Sequence, residues 1–113
     1  MANKFDEEMK KFVKAYTENA KQIAERKEEI ETLSTEIAEV EREDREKEAK
    51  RLAGIKRASG IDLPPNPISD PRYAAKLRQK QDLEIVQAEA EKALKTDLYT
   101  MRQQVNQELS AKE

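Results

Sequence analysis

A chain of 113 residues, 41% charged and only 36% hydrophobic, is limited to one small domain and cannot build a thick globular core. It contains no Cys and no His, which excludes a disulfide framework, thiolate chemistry and histidine-based metal sites. The net charge of −2 hides a sorting along the chain: residues 1–46 carry 9 basic and 14 acidic side chains, residues 47–80 carry 9 and 3, and residues 81–113 carry 4 and 7.

Ala, Glu, Lys, Leu, Arg and Gln dominate, with two Gly and four Pro, the profile of long helices and coiled coils. Asn3, followed by Asp6, Glu7 and Glu8, reads as a helix start, because Asn accepts from the first free amides and carboxylates favour the positive helix end. From there Met9, Tyr16, Ile23, Ile30 and Ile37 recur every seven residues, with Phe5, Phe12, Leu33 and Val40 on the companion row. A disordered chain has no need to keep that spacing. Asn19 and Arg26 interrupt the companion row, and the simpler expectation is that a hairpin partner leaves both solvated.

Every residue from Glu41 to Glu48 is charged, and Glu41 with Arg45, Glu43 with Lys47 and Glu46 with Lys50 are spaced for helical ion pairs of about 0.2–0.5 kcal/mol each. The apolar stripe resumes at Ala49, Leu52 and Ile55, off the earlier phase, as an eleven-residue spacing allows. Gly54 weakens the helix by about 1 kcal/mol relative to Ala and marks a place for a kink. Lys56 and Arg57 followed by Gly60 make a helix stop.

The proline-rich bend is assigned to 59–70. Pro64, Pro65, Pro67 and Pro71 lack amide donors and restrict the residues before them, so its centre is not helical. Ile61, Leu63 and Ile68 are expected to cap the stem, although so long a connection hints at use as a docking segment. Asp70 caps the second helix with Pro71 at its first position. That helix carries a thinner stripe: Tyr73, Leu77, Leu83, Val86, Ala90, Leu94, Leu98, Met101, Val105 and Leu109.

The expected architecture is therefore all-α: a single long antiparallel helical hairpin over 1–113 with coiled-coil character, helix 1 about 4–58 and helix 2 about 71–111. The first arm is the longer, so folding about the bend leaves Phe5, Met9, Phe12 and Val13 beyond the end of the second. Covering that strip points to self-association as a dimer or higher oligomer, carried by Phe5, Met9, Phe12, Val13, Tyr16, Ile23, Ile30, Leu33 and Ile37. The same folding gathers cations around the bend, and Lys50, Arg51, Lys56, Arg57, Arg72, Lys76 and Arg78 form a basic tip for an acidic protein surface. Nucleic acid is the alternative partner for that tip, and a transient scaffold for a larger assembly is a third reading. A membrane-surface role is resisted by Asp6, Glu7 and Glu8.

With no Gly-rich phosphate loop and no G-x-S-x-G turn, the chain reads as a non-enzyme that needs no cofactor or metal. No run of 18 apolar residues occurs, and the start of the chain lacks the apolar stretch of a secretory signal. The expected setting is the cytoplasm.

Overall fold

The structure, a computed structural model, describes residues 4–112. Two helices account for nearly all of them: α1, Lys4–Ser59, and α2, Pro71–Lys112. No strand occurs among the described residues. The helix limits agree with those expected to within a residue, and the expected Asn3 cap lies outside the described residues. α1 stops where Gly60 adopts a φ of 74° and its amide donates to the Lys56 carbonyl at 2.7 Å, a left-handed end that costs a glycine little. α2 starts where the Asp70 carboxylate accepts from the Arg72 amide at 2.9 Å, with Pro71 in the first turn. The helix does not break at Gly54: α1 is continuous there.

The chain forms two compact units. One runs from Glu29 to Leu83 and holds the end of α1, the bend and the start of α2. Leu33, Ile37 and Val40 are its core, at 6%, 8% and 5% exposure. The helix segments are antiparallel, because Arg72 reaches Glu43 at 3.3 Å while Lys76, one turn further along α2, reaches back to Glu36 at 2.8 Å.

Those contacts bear out the all-α helical hairpin and correct where its second arm begins. α2 begins beside Glu43 rather than beside the last turn of α1, because the bend does not turn at the end of α1 but runs back along it. Arg45 donates to the Asn66 carbonyl at 2.8 Å, and the Asn66 amide donates to Glu48 at 3.4 Å. The expected overhang is not found either: Phe5, Met9 and Phe12 are half-buried in the unit that the start of α1 forms with the end of α2. The stripe between these points also differs from expectation. Ala49 is exposed, and the inward row passes through Asp44, Glu48, Leu52 and Ile55.

The other unit combines α1 up to Glu28 with α2 from Glu84. Phe5, Met9, Phe12, Tyr16 and Ile23 are half-buried in it, as is Ala20 in place of the exposed Asn19. Phe12 and Tyr16, one turn apart, stack with ring centroids at 5.9 Å. Arg26 is not solvated as expected: it is half-buried and donates to the Gln87 side-chain oxygen at 3.0 Å, while Gln87 donates to the Ile23 carbonyl at 2.8 Å. Gln87, 8% exposed, and Met101, also 8%, are its buried side chains among the described residues. On α2 Tyr73, Leu77, Leu83, Ala90, Leu94, Met101 and Val105 of the expected stripe are half-buried or buried, together with Lys76, Lys80, Gln87 and Glu108. Val86, Leu98 and Leu109, expected on the buried stripe, are exposed.

Candidate interaction sites

The nine residues expected to carry self-association divide into two groups. Leu33 and Ile37 are buried within the Glu29–Leu83 unit, so they are spent on the fold and offer nothing to another chain. Ile30 is half-buried in the same unit. Phe5, Met9, Phe12, Tyr16 and Ile23 are half-buried in the other, where a single neighbouring helix covers each from one side, and Val13 is 54% exposed. Ile85, Val86, Leu98, Tyr99 and Leu109 of α2 add exposed apolar surface in that same unit.

The expected basic tip is not one patch. Because α2 starts beside Glu43, Arg72 and Lys76 lie against the acidic part of α1, away from Lys56 and Arg57. The interval from Glu43 to Lys56 corresponds to about 20 Å of helix. Between Glu29 and Glu46 the chain carries 8 acidic and 2 basic residues, and between Arg72 and Lys80 it carries 4 basic and none acidic. These two stretches lie side by side and offset each other's charge. Four of the proposed tip cations are held in ion pairs: Arg51 with Glu48, Lys56 with Asp62 at 3.1 Å, Arg72 with Asp70 and Glu43, and Lys76 with Glu36. Lys50, Arg57 and Arg78 are exposed with no ion pair among the described residues. Lys50 and Arg57 are seven residues apart and share a helix face, which lies two residues round from Glu48 and so away from the bend.

Charge coupling is strongest at the two ends of the bend. The Arg72 guanidinium, helped by the Arg72 amide, holds the Asp70 carboxyl down at about 2. Asp70 first and Glu43 second raise the guanidinium of Arg72 in turn. Arg51 lowers Glu48 through a side-chain hydrogen bond, against the effect of burial and with help from the Asn66 amide. The ion pairs in the charged stretch differ from the three expected. Arg42 pairs with Glu46 at 2.9 Å, and Arg45 turns to Asp44 at 2.6 Å and to the bend. A shallow groove lined by Glu36, Glu39, Val40, Glu43, Arg72 and Lys76 runs where α2 meets α1. Its cations already bond its carboxylates, which marks it as a packing seam.

Sequence reasoning missed two groups. Gln87 was legible, since Gln87, Leu94 and Met101 recur every seven residues. The partnership of Arg45 and Glu48 with Asn66 was not, because it joins positions far apart in sequence. Ile61 and Leu63 do not cap the stem as expected: they are 54% and 46% exposed, and Ile68 alone of the three aliphatics is half-buried. Among the described residues no helix is long and apolar enough to cross a membrane. No protein-family model matches the chain, and no similar curated protein or solved structure was found.

Proposed function

We propose that this protein is a non-enzymatic assembly protein that associates with further copies of itself through α1 up to Glu28 and α2 from Glu84. The observation that supports this reading is the thin core of that unit. Met101 is its one buried apolar side chain among the described residues, while Val13, Ile85, Val86, Leu98, Tyr99 and Leu109 are 42–64% exposed. Two helices alone seldom bury enough apolar surface to be stable. A second copy laid against this pair gives the inward side chains Phe5, Met9, Phe12 and Tyr16 neighbours on a further side, as in a four-helix bundle.

Sedimentation equilibrium of the full chain across a wide concentration range tests it. A mass of two or more chains is expected, and a mass that stays at 13.1 kDa throughout sinks the proposal. Val13→Glu and Leu98→Glu change exposed positions, so they should lower the mass while leaving helicity by circular dichroism intact.

A second reading, contact with an acidic protein surface or nucleic acid, draws on Lys50 and Arg57 sharing one unpaired face. Binding to a DNA duplex that collapses as salt rises, and is lost on changing both residues to Gln, would support it.

A further inference from the structure

The bend is irregular, yet it is held at its start, middle and end. Gly60 is bonded to Lys56, and Asp62 is paired with Lys56 at 3.1 Å. At the centre, the Asn66 peptide is gripped on both sides by Arg45 and Glu48. Glu48 is itself steadied by Arg51, and Arg45 by Asp44. At its close, Ile68 is half-buried and Asp70 is fixed by Arg72.

The path between these anchors is extended. α1 rises about 18 Å between Glu48 and Gly60, and the chain returns to the Glu48 side chain by Asn66. That is about 3 Å per residue, the rise of a proline-type extended helix. Each residue from Leu63 to Pro67 is either a proline or directly precedes one, so each has restricted backbone freedom.

This tethered strip turns its apolar groups outward. Ile61 and Leu63 are 54% and 46% exposed, and Pro64, Pro65 and Pro67 are exposed. Among the described residues, Leu63, Pro64 and Pro65 make no hydrogen bond, so their carbonyls are open to a donor. A stem cap would show the opposite orientation, with the aliphatic side chains turned in.

We propose that residues 61–67 are a preformed docking strip for a partner protein whose groove is lined with aromatic side chains and reads extended proline-rich segments. Proline rings and Leu63 fit between aromatic walls, and Trp or Tyr donors of such a groove meet the unbonded carbonyls. The strip has already surrendered the conformational freedom that a disordered ligand loses on binding. Nucleic acid is disfavoured, because the strip carries no cation and Lys50 and Arg57 lie on the face of α1 away from it. This surface is independent of self-association, whose residues lie in the other unit.

The test is an NMR titration of the full-length chain with a set of purified WW and SH3 domains, which are aromatic-groove readers of proline segments. At least one domain should shift resonances confined to 61–67. Leu63→Ser with Pro64→Ala should weaken that binding about tenfold or more while helicity is unchanged. Arg45→Met, which frees the Asn66 carbonyl from α1, should weaken it several-fold without altering any groove contact. The proposal is overturned if no domain of the set binds, if the shifts fall on the helices instead of the bend, or if the double variant binds as well as the parent.

Discussion

From Glu29 to Leu83 the protein combines three buried aliphatic side chains with ion pairs from α2 back to α1, whereas the unit built from the start of α1 and the end of α2 has, among the described residues, one buried apolar residue and a polar layer of Arg26 and Gln87. The α1 segments of both units carry a seven-residue apolar pattern, so periodicity alone does not explain the difference. What differs is the facing segment of α2. In the first unit its Arg72 and Lys76 meet Glu43 and Glu36 and line the groove beside Val40. In the second, its apolar residues fall partly on the wrong side, leaving Ile85 and Tyr99 each 64% exposed. A helix pair is thus closed by complementary charge in one place and left open by misplaced apolar residues in the other.

The comparison is broken most directly by Ile37→Ala. Removing a side chain that is 8% exposed should cost about 2–4 kcal/mol, a large part of the stability of a domain this size, read from urea unfolding. Gln87→Ala comes next. It takes away the acceptor of the half-buried Arg26 guanidinium and the second bond to the Ile23 carbonyl, which keeps its helical partner, and should cost about 1–3 kcal/mol. If the polar layer costs stability while setting alignment, replacing both partners with Leu should restore or exceed the parent stability. A double variant as weak as Gln87→Ala would instead mean that the layer contributes net stability.

Arg45→Met should cost about 1 kcal/mol. It loses the bond to the Asn66 carbonyl but also removes a buried guanidinium Nε that has no partner among the described residues. Hydrogen exchange at Asn66 should quicken even where global stability hardly moves. The smallest expected effect is at Asp70, whose folded value of about 2 lies below its ordinary 3.8. Its contribution is therefore complete above about pH 4 and is lost as pH falls toward 2. Asp70→Asn keeps a good capping residue and should flatten the thermal midpoint between those two pH values. An unchanged slope would mean that other carboxylates govern it.

Much of the architecture was legible because its causes are local. Gly60 after Lys56 and Arg57 marks the end of α1, and Asp70-Pro71 marks the start of α2, since caps depend on neighbours within a turn. The inward row of α1 was legible for the same reason, down to Leu33, Ile37 and Val40. On α2 the apolar residues were a poorer guide, because Lys80, Gln87 and Glu108 share the inward row with Leu94 and Met101. A stripe chosen by hydrophobicity therefore drifts onto Val86, Leu98 and Leu109.

The candidate sites were less legible than the helices. Val13 and the half-buried aromatic residues were visible as apolar positions, but the dispersal of the basic tip followed from where α2 begins. By itself, the sequence determined two long helices, their caps and the break between them, because each rests on interactions a few residues apart. Only the tertiary structure decided that the bend runs back along α1, which acidic stretch meets which cations, and which apolar side chains stay exposed. The physical reason is that the Asn66 peptide is held by Arg45 and Glu48, some twenty residues earlier, and a shift of that anchor resets the pairing of everything that follows.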